Sequence, residues 1–135
     1  MYIVDAYLKR VQLFNLDGTR RWSFGGEGSG PGEFRSPRDL KVDGDGRAWT
    51  LDPANARLTV VDPNGIDYLE IPLARLPRMP DRVVPLPGGQ AILLDHSPVD
   101  FDYQLRRLSD VDLARVERRA DDTRYVPVYY ALLLR

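Results

Sequence analysis

The stretch VDAYLKRVQLFNLDG, Val4–Gly18, aligns without a gap on LDPANARLTVVDPNG, Leu51–Gly65, at an offset of 47 residues. No other feature restricts the fold as much. Each copy of such a repeat must be one supersecondary unit that buries its apolar face against the next copy. Asp5 falls on Asp52, Arg10 on Arg57, Val11 on Leu58, Leu13 on Val60, Phe14 on Val61 and Gly18 on Gly65. A weaker third copy matches Pro80 to Pro37, and GGQAILLD (Gly88–Asp95) to DGRAWTLD (Asp45–Asp52), at an offset of 43. After a four-residue insertion, Leu105 and Leu108 match Leu58 and Val61 at an offset of 47.

A period of roughly 40–50 residues admits propeller blades or helical solenoids. The residues choose between them. RDLKVDGDGRAWTLDPANARLTVVDPNGIDYLEIPL breaks into four short apolar runs, Leu40–Val42, Ala48–Leu51, Leu58–Val61 and Tyr68–Pro72. Asp-Gly, Asp-Pro and Asn-Gly separate them, and these pairs are hairpin and turn signals. Four antiparallel strands per repeat make a propeller blade. The fold class is therefore all-β, a partial β-propeller. Residues 1–26 form a partial blade one with strands Tyr2–Val4, Arg10–Asn15 and Arg20–Phe24. Residues 37–73 form blade two, with strands Asp39–Val42, Arg47–Leu51, Arg57–Val61 and Tyr68–Ile71. Residues 80–122 form blade three, with strands Arg82–Pro85, Gln90–Leu94 and Gln104–Leu108. Residues 123–135 are a tail strand or unpaired.

FGGEGSGPGEFRSP, Phe24–Pro37, holds five glycines and two prolines. Such density raises the question of a phosphate-binding loop. A Walker A loop needs Lys-Ser/Thr after its last glycine, and none follows; a dinucleotide fingerprint needs G-x-G-x-x-G opening a helix. Counting from Gly26 ends on Pro31, and counting from Gly28 ends on Glu33. The segment instead joins the outermost strand of blade one to the innermost strand of blade two. It must cross about three strand spacings of roughly 4.8 Å. Glycines supply positive φ angles for the reversals, and Pro37 sets the start of the next strand.

The string from Arg10 to Gly65 closely resembles NHL repeats. Three features carry the resemblance: the strand-ending Asp with an Arg five residues later, the connector Phe24, Gly25, Gly28, Gly32, Phe34 and Pro37, and the hairpin Asp43-Gly44-Asp45-Gly46. It is strong over residues 2–73, partial over 80–108, and absent after about residue 110. The resemblance implies a blade array, usually of six blades. It also implies a binding scaffold for protein or RNA in many members, export in many bacterial ones, and metal-dependent lyase activity in a few. Three blades cannot close a ring, since rings take about four to eight. Two expectations follow: a piece of a longer protein, or a homodimer that completes the propeller.

The totals exclude several classes. Net charge is −1 with a pI of about 5.8, so no global basic field draws the chain to nucleic acid or anionic lipid. There is no cysteine, hence no disulfide, thiolate metal site or cysteine nucleophile. No apolar run approaches the roughly 20 residues of a membrane span.

Among individual residues, Asp5/Arg10 and Asp52/Arg57 recur in register. They read first as structural pairs, each Asp accepting turn N–H groups and each Arg pairing with it from the next strand. Asp43 and Asp45 open like a calcium loop but lack its later ligands, with Arg47 and Ala54 at those positions. His96 is the only histidine, and it opens an insertion carrying Asp100 and Asp102. Arg35, Arg38, His96, Asp100 and Asp102 are the candidate ligand-binding residues. Arg20, Arg21, Arg35, Arg38 and Arg47, with Trp22, Phe34 and Trp49 nearby, sketch an RNA-binding reading. The leading reading is a non-enzymatic module that engages protein or peptide partners, with no cofactor and no metal. The alternatives are a fragment of a propeller lyase or hydrolase whose catalytic residues lie on other blades, and an RNA-binding module. The tail RYVPVYYALLLR is rich in β-formers and is expected to fill the vacant inner position of blade one, in its own or a second copy.

Overall fold

The computed structural model describes residues 1–76, 79–95 and 128–133. These residues form three antiparallel sheets. The first holds β1 (Tyr2–Asp5), β2 (Arg10–Phe14) and β3 (Arg20–Gly25) in sequence order. The second is a complete four-stranded meander of β4 (Asp39–Val42), β5 (Ala48–Asp52), β6 (Arg57–Val61) and β7 (Tyr68–Pro72). The third holds β8 (Arg82–Leu86), β9 (Gln90–Asp95) and β10 (Val128–Leu133), in the order β10-β9-β8. This is the propeller-type arrangement that the repeat implies. Asp5 lies opposite Arg10, and Asp52 opposite Arg57, at matching ladder positions.

The turns are where local chemistry decides the path. Gly18, Gly46, Gly65 and Gly88 all carry positive φ in the tight turns. Lys9 and Ala56, which occupy equivalent repeat positions, are the two non-glycine residues with positive φ, at 56° and 50°. Each lies one residue before a third-strand equivalent. The shared conformation shows that the reversal belongs to the repeat rather than to a particular side chain.

Alternation along the strands gives each sheet two faces, and both faces of the second sheet are covered. Trp49, Leu51, Leu58, Val60 and Ile71 pack with Val83, Ala91 and Leu93 of the third sheet. Ala48 and Val61 pack with Val11 of the first sheet and Phe34 of the connector, with Tyr2, Trp22, Phe24 and Leu40 around them. Each large side chain buried this way contributes about 1.5–3 kcal/mol. Stacking is fixed further by rings: Phe24 lies 6.1 Å from Phe34 and 4.9 Å from Tyr68, centroid to centroid.

The tail departs from expectation. Val128–Leu133 pairs antiparallel with Gln90–Asp95 instead of filling blade one. Beside β9, β8 occupies one edge only, and the free edge offers an unpaired ladder that a β-prone segment beginning just after Pro127 can satisfy. The expected third strand of that blade, Gln104–Leu108, lies outside the described residues.

Candidate functional site

The ladder pairings put two kinds of loop at opposite ends of the sheets. Asp5, Arg10 and Gly25 share one end of the first sheet, and Asp39, Leu51, Arg57 and Pro72 share the same end of the second. The glycine-rich connector runs between them. Asp39 Oδ2 accepts from Val83 N at 2.8 Å, which brings the start of the third sheet to this connector end. The tight turns around Gly18, Gly46, Gly65 and Gly88 lie at the other end.

The connector is held by side chains of the second sheet. Asp52, fully buried, accepts from Arg35 N at 2.8 Å and Ser36 N at 2.9 Å. Asn55 Nδ2 donates to Asp52 Oδ2 and to Gly28 O. Arg57 donates to the carbonyls of Gly30 and Glu33 and lies 3.3 Å from Glu70. Glu70 in turn accepts from Gly32 N at 2.8 Å. Glu33 closes the inner loop by accepting from Gly30 N. The loop is therefore ligated by fixed groups of its own chain. Its bonded N–H groups end on carboxylates or on backbone carbonyls, the opposite of what a phosphate cradle requires.

This arrangement revises the structural reading of the recurring pairs. Asp5 does accept turn N–H groups, from Tyr7 at 3.0 Å and Leu8 at 2.8 Å. Asp52 turns to the connector, and Arg57 finds carbonyls and Glu70, although the two are cross-strand partners. Arg10 is exposed and has no side-chain partner among the described residues. Asn55 and Glu70 were not singled out from sequence. The repeat could not reveal Asn55, because Leu8 stands at its equivalent position.

Of the candidate ligand-binding residues, Arg35 and Arg38 lie together on the run between Phe34 and β4, both exposed. Their backbone is fixed, Arg35 N by Asp52 and Arg38 N by Leu51 O at 2.9 Å. Phe34, which precedes the run, is fully buried against Gly25, and Gly25 also lies close to the Lys9 carbonyl of the β1–β2 loop. That loop presents Tyr7, 90% exposed, and Leu8, 50% exposed. His96, Asp100 and Asp102 lie outside the described residues. Trp22, Phe34 and Trp49, the aromatics of the RNA-binding reading, point into the sheet interfaces: Trp22 Nε1 donates to Pro63 O, and Phe34 and Trp49 are fully buried.

The turn end is acidic and internally bonded. Asp43 accepts from Asp45 N, Arg47 N and Trp49 Nε1, all near 2.9 Å. Burial pushes its carboxyl up, but the bonds from Trp49, Arg47 and Asp45 and the Arg47 charge together hold it below the ordinary value. Asp62 is lowered chiefly by the Ile66 N–H, with help from Asp67, Asn64 and Gly65. A cleft of about 470 Å³ opens here, lined by Asp45, Asp62, Asp67, Tyr68 and Leu69 among others. Leu69 is the repeat equivalent of Trp22. Trp22 is covered by the Pro63–Gly65 turn of the next blade, whereas Leu69 remains 48% exposed. Among the described residues, no group of three His, Cys, Asp or Glu is placed to hold a metal ion.

No family model matches the chain. It is 35% identical over 72 residues to NHL repeat-containing protein 3 of Mus musculus, and 32% identical over 72 residues to NHL repeat-containing protein 3 of Homo sapiens. In each case the match covers 51% of this chain and 21% of the relative, so the chain spans about a fifth of the length of the curated relatives it matches. About half of this chain is thus related to NHL repeats, in agreement with its blade-like sheets.

Proposed function

We propose that this relative of NHL-repeat proteins is a non-enzymatic binding module whose connector end engages a protein or peptide partner. One observation carries the reading. Tyr7, Leu8, Arg35 and Arg38 are exposed on backbone that neighbouring carboxylates and carbonyls hold rigid. A rigid display of one aromatic, one aliphatic and two guanidinium groups loses little conformational entropy on association. Tyr and Arg are also the residue types enriched where interface energy concentrates. A six-bladed assembly, whether from a longer chain or a homodimer, would repeat this end around a ring and enlarge the surface.

The test is selection of displayed peptides on the intact chain, followed by measurement on a Tyr7→Ser/Arg35→Ser variant. Peptides are expected to bind the variant at least about tenfold more weakly, a loss of 1.4 kcal/mol. Peptides that bind both proteins equally would place recognition elsewhere and refute the reading.

A further inference from the structure

We propose that the partner at the connector end is an acidic protein segment, an inference that rests on the reading of that end as a binding surface. The net charge of −1 conceals how the charges are arranged. At the connector end the carboxylates are engaged. Asp5 binds the Tyr7 and Leu8 N–H groups, Asp39 binds Val83 N and Lys41, and Asp52 binds Arg35 N, Ser36 N and Asn55. Glu33 binds Gly30 N, and Glu70 binds Gly32 N and Arg57.

The guanidinium groups there are different. Arg10, Arg35, Arg38 and Arg75 are exposed, and their side chains make no hydrogen bond or ion pair with described residues. Among the described residues, Glu27 on the connector is the exposed acid that accompanies them. At the turn end Asp17, Asp43, Asp45, Asp62 and Asp67 gather, and Arg47 is drawn to Asp43 and Asp45. Among the described residues, the carboxylates at the connector end are thus mostly turned inward to N–H groups while four guanidinium groups project outward, and local charge arrangement rather than the total steers encounter.

The chemistry favours carboxylates on a polypeptide. A guanidinium fork matches a carboxylate with two parallel hydrogen bonds. Tyr7 and Leu8 are exposed at the same end of the sheets and offer apolar contact to a side chain flanked by those carboxylates. Single-stranded nucleic acid would want several aromatic faces for stacking. Among the described side chains at this end Tyr7 is the exposed aromatic, while Phe24 and Phe34 are packed between the sheets.

The experiment uses the intact chain and three labelled probes: a peptide repeating Glu-Glu-Leu, its Gln-Gln-Leu counterpart, and an oligouridine. Fluorescence anisotropy is expected to give about tenfold tighter binding for the acidic peptide than for its neutral counterpart, and that margin should shrink as salt is added. Arg35→Glu/Arg38→Glu should abolish the margin, while Arg20→Glu/Arg21→Glu, at the opposite end of β3, should leave it. Circular dichroism of each variant confirms the fold. Equal binding of the two peptides, still weakened by Tyr7→Ser, would overturn the acidic partner and leave the surface standing. No dependence on Tyr7 or Arg35 for any probe would overturn the surface itself. Oligouridine binding more tightly than the acidic peptide would make the ligand a nucleic acid and overturn the inference.

Discussion

A methyl group added at Gly25 would lie 2.6 Å from the Phe34 ring and 3.0 Å from the Lys9 carbonyl oxygen, at a φ of +102°. Strain and collision coincide there, and the obstacle includes a fully buried ring. Gly18 has a similar φ of +85° but nothing within 4 Å. Gly25→Ala is therefore expected to cost about 3 kcal/mol or more, and Gly18→Ala about 1 kcal/mol. Urea midpoints measure both, and equal losses would mean that φ alone matters. Asp43 gives a pH prediction. Its carboxyl is lowered from 3.8 in the folded protein, so at mildly acidic pH the unfolded chain binds the proton more readily. The stability it supplies is present above about pH 4 and fades as pH falls through the lowered value. Asp62 acts in the same direction. Thermal melts between neutral and acidic pH should show this fall, and Asp43→Asn should flatten it. Sequence placed Asp43 in a hairpin but not its bond to Trp49, because alternation tells which face a side chain takes and not which atom it reaches.

The elements were the most legible level. Asp-Gly and Asn-Gly pairs between short apolar runs gave four strands in blade two, and all four form. The order within the first two sheets, and the β8–β9 pairing, followed from short connections, which pair consecutive strands. What escaped was β10, since a β-prone run states that it will pair but not with which edge. Also unforeseen are Thr50 and Thr59. They face each other across β5 and β6, fully buried, and neither hydroxyl has a hydrogen-bond partner among the described residues. Replacing both by Val keeps the shape and removes two desolvated polar groups, so Thr50→Val/Thr59→Val is expected to stabilise by about 1 kcal/mol. A lower urea midpoint for the double variant would show that the hydroxyls are satisfied.

At the scale of the whole molecule, the sheets and the connector form one object. The connector's first residues continue β3, its buried Phe34 fills the first interface, and its N–H groups end on Asp52 and Glu70 of the second sheet. Sequence showed that this loop lacks the Walker A and dinucleotide spacings. It did not reveal the bracket, because Asp52, Asn55, Arg57 and Glu70 come together only when the β5–β6 turn and β7 fold against the loop. Nor could it reveal which guanidinium groups at the connector end project free and which carboxylates turn inward. The account rests on that bracket, since rigid backbone is what allows Tyr7, Arg35 and Arg38 to act as a recognition surface. Asp52→Ala should loosen it and leave the partly buried Arg35 and Ser36 N–H groups without their acceptor, costing about 1–3 kcal/mol. Amide hydrogen exchange on the unmodified chain is the most direct measurement. The Gly32, Arg35 and Ser36 amides are expected to be protected to the same degree as strand amides of β5 and β6. Exchange of these three at the rate of an unstructured glycine loop would contradict the account.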